Sequence, residues 1–371
     1  MCYGFLNVIC GLSIIPHMIR LTINKVPTLF IKAFTAIDVQ TIMEFVRKAA
    51  TFYSGSSNKI LFIDTPITPA TVEAVEKLKF ERFQVIFRDH HSIDGEPSNS
   101  REARVVEATT KLNNLLGVDC HITIRRLHPA CSTLVSVGEF KDAIAIIADP
   151  DADGLTAAMK AAGISYPELD DDAAKLDGEP QFQVTGSPIS QLLAKGMAVL
   201  PSYDVSKPKE REIAQQNLFT DWLKAVCGNE PALIRLQAKI SLYDDATKVS
   251  QSLAKTAITV APGVVLVDVA DKALFDPGTL LSLLENAPKR RIIVLRKSLG
   301  PIAALHGIQY SLSVTKSYQN KINLHDLVPA QAKSDPEAGI ISNVSFLLHT
   351  SESIWQQEVL PRLKNLMSKS E

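Results

Sequence analysis

The sequence has almost no net charge: 39 Lys and Arg stand against 40 Asp and Glu, a formal −1. A protein that coats nucleic acid with a basic face carries an excess of cations, so that class is excluded, although a local grip on a few phosphates is not. No apolar run reaches the roughly 18–20 residues that cross a bilayer, which argues against a membrane protein. Cysteine is scarce, and no C-x-x-C pair occurs among Cys2, Cys10, Cys120, Cys131 and Cys227. That odd, scattered set excludes a disulfide framework and a zinc ribbon; it reads as buried, reduced thiols in a cytoplasmic protein. Also missing are a Walker loop, a G-x-G-x-x-G fingerprint, a nucleophile elbow, a basic–aromatic stripe and any internal repeat.

What is present suffices for a sizeable core. Over 371 residues, 46% are hydrophobic and 21% charged, which suits two domains or three. Residues 1–19 are apolar, and Arg20 is the first basic residue, so no signal-type basic region precedes them. The leading reading makes Met18 the true start, with a hydrophobic first strand or a membrane-contacting segment as alternatives.

From there, short apolar runs alternate with helix-like stretches. Leu29–Phe34, Lys59–Ile63, Phe83–Phe87 and Ala143–Ala148 read as strands, and Val39–Phe52, Pro69–Leu78 and Leu155–Ala162 as helices. Such alternation predicts βαβ units and a parallel sheet. Residues 165–210, rich in Pro, Gly and Asp, predict an irregular connector with one short helix near Ile189–Met197. Glu210–Ala254 then reads as helical. A second alternating region follows, with strands expected at Val264–Val269, Arg291–Leu295, Ile308–Val314 and Val344–His349, and a closing helix at Trp355–Leu366. The expected class is α/β: a parallel-sheet domain over 18–160, a connector over 161–255 and a smaller mixed α/β domain over 256–371.

Three strand ends carry polar residues. Phe83–Phe87 runs through Arg88 into Asp89-His90-His91, and ligands collect beyond the carboxyl ends of parallel strands. Asp64 ends Lys59–Ile63 one βα unit earlier; alone it could be a helix N-cap. The third is Asp149-Pro150-Asp151-Ala152-Asp153-Gly154. Its spacing opens like an EF-hand calcium loop, but the twelfth position is Lys160 and the preceding element is a strand, so Asp149 reads better as a strand-end ligand. Mixed carboxylate and imidazole donors suit Mn²⁺, Fe²⁺ or Zn²⁺ better than Ca²⁺.

These motifs resemble the DHH phosphoesterases, a family of metal-dependent hydrolases that includes RecJ-like exonucleases, oligoribonucleases and cyclic-dinucleotide phosphodiesterases. The signature triplet is Asp89-His90-His91; Asp64 resembles the second motif and Asp149 the fourth. His128-Pro129-Ala130-Cys131-Ser132-Thr133 is similar to the family's small-residue helix start. The likeness spans residues 28–160. It departs at the first motif, His-x-Asp-x-Asp-Gly, where Phe34–Val39 keeps only Asp38. Asp151-Ala152-Asp153-Gly154 itself looks like a first-motif fragment and offers replacement carboxylates. In the C-terminal part the family's Gly-Gly-His segment is replaced by Ser334–Gly339, after Tyr310–Ser313, which stands for the Ser- and Arg-bearing strand, and then Ile322–Leu327.

The resemblance implies hydrolysis of phosphodiester or phosphomonoester bonds in short oligonucleotides or nucleotides, with Mn²⁺ preferred and Mg²⁺ as the substitute. Asp38, Asp64, His90, Asp149 and Asp151 would be ligands, with Asp89, His90 and His91 at the reacting centre. His128, Arg296, Gly339 and His349 would contact substrate. The implied protein is cytoplasmic, acts on a phosphate-containing small molecule or short nucleic acid, avoids membranes and has a homodimer as its candidate assembly. The competing expectation is a catalytically impaired binding or scaffold subunit, because the first motif and the glycine-rich segment are both altered.

Overall fold

The computed structural model describes residues 18–31, 36–52, 55, 57–93, 95–97, 100–166, 168–178, 186–201, 208–270, 274–287, 289–298, 308–318, 321–327, 345–350 and 352–369. Asp38 and His349 lie on described backbone, but their side chains lie outside the description, as does the whole of Gly339. The chain divides into two units, Met1–Ala174 and Lys175–Glu371.

The first unit is built on a six-stranded sheet. Its strands are β1 (Met18–Ile23), β2 (Val26–Ile31), β3 (Lys59–Ile63), β4 (Gln84–Asp89), β5 (Cys120–Ile122) and β6 (Ala145–Ala148), in the order β1-β2-β6-β3-β4-β5. Only the β1–β2 pair is antiparallel; the other pairings are parallel. The hairpin turns on Asn24 and Lys25, both at positive φ (44° and 73°), the backbone a two-residue turn between right-twisted strands requires. This turn starts β2 at Val26, earlier than the expected Leu29, and extends the sheet with β1, which shares only Met18 and Ile19 with the stretch where a hydrophobic first strand was an alternative.

Strand side chains alternate between faces. Ile60 and Phe62, Val85 and Phe87, Ala145 and Ile147 share one buried cluster with α1 (Ala36–Phe52), α2 (Pro69–Phe80) and α3 (Ser100–Leu116). The intervening Leu61, Ile63, Ile86, Ile146 and Ala148 point the other way, where α4 (Ala152–Ala161) packs against β3 and β6. Both faces are thus covered, which is why these strands read as unbroken apolar runs. From β3 the chain winds outward to β4 and β5, while β6 returns to β3's other side. That reversal falls at the carboxyl ends of β3 and β6, the place where open α/β sheets gather ligand-binding residues.

The second unit holds α6 (Pro188–Ala198), α7 (Pro208–Val226) and α8 (Glu230–Lys255), packed on one another, then a mixed five-stranded sheet. Its strands are β7 (Ile258–Ala261), β8 (Val264–Asp268), β9 (Ile292–Ser298), β10 (Ile308–Val314) and β11 (Ser345–Thr350), in the order β11-β10-β9-β8-β7. Leu253 of α8 and the helix α9 (Pro277–Glu285) cover one face; a closing helical stretch from Glu352 to Lys369 covers the other, with Trp355 stacked on Tyr310 at 4.0 Å. The connector holds two helices rather than one, because Leu169–Gly178 forms α5 as well. Its first turn carries Asp170, Asp171 and Asp172, charges that suit a helix N-terminus. Ile322–Leu327 contains a 3-10 turn, Leu324–Leu327.

Phe62 and Phe87 stack at 5.9 Å in the strand layer that carries the polar ends. Phe62→Ala is expected to lower stability by about 3–5 kcal/mol, read as a lower denaturant midpoint at unchanged slope.

Candidate metal centre

Asp64 is the corner of the site. One residue beyond β3, it takes a left-handed backbone (φ 52°) that Asp tolerates better than most side chains. Its N–H donates to the Arg88 carbonyl of β4 (3.0 Å), and its carbonyl accepts from the Asp149 N–H just past β6 (3.0 Å). Three strand ends are therefore joined at one residue. Asp64 does not cap α2; that role falls to Thr68, whose side chain accepts from the Thr71 N–H.

Around this corner the fold gathers two donor groups that share Asp64. Asp64, His90, Cys131 and Asp153, all buried, place one ligand atom each within 4.8 Å of the others; Asp64, Asp89 and His91 do the same. His90 Nδ1 donates to the His128 carbonyl (2.7 Å), which leaves the Nε2 lone pair 3.7 Å from Asp64 Oδ1 and 3.5 Å from Asp153 Oδ2. Burial, followed by the neighbouring His91, pushes the His90 pKa down from 6.5 to about 4, so the imidazole is neutral at physiological pH. Asp89 Oδ1 accepts from the His91 N–H (2.5 Å) and lies 3.0 Å from its Nδ1. Arg125 Nη2 donates to His91 Nε2 (2.8 Å).

This set fits a divalent cation and fits little else. Both Asp64 carboxylate oxygens and Asp89 Oδ2 are buried without a formed hydrogen bond. The Cys131 thiol beside Asp64 offers at most a weak S–H contact. Burial raises the Asp64 pKa well above its usual value, reinforced by the charges of Asp151, Asp153, Asp89 and Asp149. Carboxylates and imidazole lone pairs converging in a dry site repel one another unless a cation lies between them. A His whose other ring nitrogen donates to a backbone carbonyl is the usual form of a metal-ligating imidazole.

Gly154 makes the close approach feasible. A Cβ there would lie 2.3 Å from the Asp149 carbonyl oxygen and 3.1 Å from Asp64 Oδ2. Asp151 is the N-cap of α4, its Oδ1 accepting from the Gly154 N–H (2.8 Å).

Of the residues singled out from sequence, Asp64, Asp89, His90 and His91 converge. Asp149 adjoins through its backbone and its buried Oδ1, and Asp151 as the cap, with the charges of both acting on Asp64; His128 adjoins through its carbonyl, its ring turned to Thr133 Oγ1 (3.1 Å). Arg296, in the second unit, is held by Asp268 (2.6 Å) and Glu352 (3.3 Å). Asp153 enters as a donor in its own right, and Cys131 and Arg125 enter unforeseen. Cys131 fits the expectation of buried thiols, but Cys120, at the rim of the first unit's core, is half-buried and Cys227 is exposed.

No family model and no curated protein matches the chain. Among solved structures it is similar to a pGpG-specific phosphodiesterase, PggH, from Vibrio cholerae, at 11% identity and a TM-score of 0.41, covering 84% of this chain and 99% of that one. A likeness at that level does not bear on chemistry. No helix among the described residues is long and apolar enough to cross a membrane.

Gly154→Ala is expected to cost about 1–3 kcal/mol and to weaken divalent-ion binding by displacing Asp149 and Asp64, read by thermal melts with and without the ion. A pH scan of the chelated protein gives a second test. Asp64 ionises later folded than unfolded, so its contribution falls as pH rises from 3.8 through the raised value. His90 ionises at about 4 folded against 6.5 unfolded, so its contribution rises between those values and is flat above. Asp64→Asn should remove the decline that begins at 3.8, leaving the rise due to His90; parallel wild-type and variant curves would contradict the assignment.

Proposed function

We propose that the chain is a metal-dependent phosphoesterase of DHH type, acting on a phosphate-containing small molecule or short oligonucleotide. The observation that carries this reading is Asp64: a buried carboxylate met by no donor stronger than the Cys131 thiol, shared by two donor groups at the carboxyl ends of a parallel sheet. The sequence resemblance at Asp64 and Asp89-His90-His91 supports it independently of the geometry.

In such a site divalent ions supply an activated water and neutralise phosphoryl oxygens. The protein's part is placement. Asp64, His90, Cys131 and Asp153 would hold one position, and Asp64, Asp89 and His91 a second. The His128 carbonyl fixes the His90 tautomer, and Asp89 orients His91. Ligation through His91 Nδ1 requires its proton to leave and Arg125 to turn away from Nε2. Arg125 lies on the exposed side of His91, so its guanidinium is suited to a substrate phosphate once turned. In the hydrolysis, water adds to phosphorus, the ester oxygen leaves, and the water proton passes to that leaving oxygen or to solvent.

The full-length protein should hydrolyse a dinucleotide or a model phosphodiester with added Mn²⁺ or Mg²⁺ and stop when the ion is chelated. Asp64→Asn and His90→Ala should abolish turnover and ion binding together. Arg125→Ala should retain ion binding but raise KM roughly ten- to a hundredfold, the worth of one charge-assisted contact. Ion binding with no hydrolysis of either substrate would favour the binding-subunit alternative.

A further inference from the structure

The two donor groups differ in kind, and the difference rests on Cys131. Asp64, His90, Cys131 and Asp153 are all buried, and the group contains sulfur; Asp64, Asp89 and His91 contain only oxygen and nitrogen, with His91 partly open to solvent. Four protein donors close a tetrahedral shell, whereas three leave a position for water or substrate.

The two separations measured from His90 Nε2 lie close to the edges of a small tetrahedral ion's shell. Metal–nitrogen and metal–oxygen arms of about 2.0–2.1 Å give ligand–ligand edges of about 3.3–3.4 Å. The His90 Nε2 distances are 3.5 Å to Asp153 Oδ2 and 3.7 Å to Asp64 Oδ1. Cys131 is not placed by chance. It opens the 3-10 turn Cys131–Leu134, and its N–H donates to Asp153 Oδ2 (2.8 Å), so one donor of the group fixes the backbone of another. The Ser132 N–H approaches the second oxygen of the same carboxylate (3.4 Å). The thiol is free of any disulfide. The second sign of a ligand is Asp64, wholly buried, whose two carboxylate oxygens meet no hydrogen-bond donor stronger than the Cys131 thiol beside them.

We propose that Cys131 Sγ is a metal ligand, so that the inner, four-donor position takes a thiophilic ion of the Zn²⁺ or Co²⁺ class, while the outer position exchanges Mn²⁺ or Mg²⁺. This rests on the metal-centre reading above. Binding replaces the S–H bond by a sulfur–metal bond; the proton goes to solvent and no electron is transferred. Thiolate prefers such ions, and Mn²⁺ and Mg²⁺ prefer oxygen, so the two positions select different metals from a mixture.

The test uses the chelated full-length protein titrated with Cd²⁺, a thiophilic probe, and separately with Mn²⁺. Bound metal is measured by equilibrium dialysis and thiolate-to-metal charge transfer by ultraviolet absorption. Saturation with Cd²⁺ should bring up the charge-transfer band, and Cys131→Ser should remove it and weaken Cd²⁺ binding by about 10–100-fold, with Mn²⁺ still bound. A variant with Cys2, Cys10, Cys120 and Cys227 all changed to Ser should keep the band, a result that does not require Cys131→Ser to fold. Cd²⁺ binding without a band in that variant overturns the sulfur ligand and leaves the metal centre standing. Failure of the wild-type protein to bind either ion overturns both.

Discussion

The left-handed corner at Asp64 is the constraint on which the first unit turns. One peptide on each side of this residue ties β3 to the ends of β4 and β6, so the strands finish level and their terminal residues face one another. The same residue pushes its carboxylate into the dry space they enclose. The backbone stabilisation and the electrostatic penalty are thus placed on one amino acid. A residue that satisfied the backbone without a carboxylate would relieve the charge and leave no site.

The surroundings are arranged to hold that charge rather than to remove it. His90 is kept neutral, with its lone pair inward, by a hydrogen bond on its far nitrogen. Asp153 is braced by the Cys131 and Ser132 N–H groups, and Gly154 gives up its side chain so that α4 can begin against Asp149 and Asp64. The helix α4 also aims its N-terminal dipole into the cluster, which favours negative charge there. These are features of a preorganised cation site, since burial of so many acceptors is otherwise costly.

Much of this was legible in the chain. Lys59–Ile63 and Ile308–Val314 form strands over the stretches expected, because uninterrupted apolar runs bounded by polar residues have few other uses. Asp64 and Asp89-His90-His91 stood out because charge follows directly on such runs. The helix α3 escaped notice because its sequence, rich in Arg, Glu, Thr and Asn, has a thin apolar stripe in which Ala108, Leu112 and Leu116 are buried. Cys131 and Arg125 were invisible for a different reason. Each lies in irregular chain, where no period marks a facing direction, and only the turn beyond β5 brings them to strand ends distant in sequence. Asp151 and Asp153 illustrate the same limit, since both flank the start of α4 and only the helix phase decides which caps and which turns inward.

The position of β6 between β2 and β3 has a consequence for how the molecule comes into being. Residue 60 pairs with residue 145, and residue 28 with residue 146, so both inner edges wait for a strand made much later. Until it arrives, β2 and β3 present unpaired backbone to one another across a gap that only this segment fills. Cys131 precedes it in the chain and Asp153 follows it closely. The sheet and the candidate ion site therefore share one closing segment, and the donors at the strand ends meet only once β6 is in place.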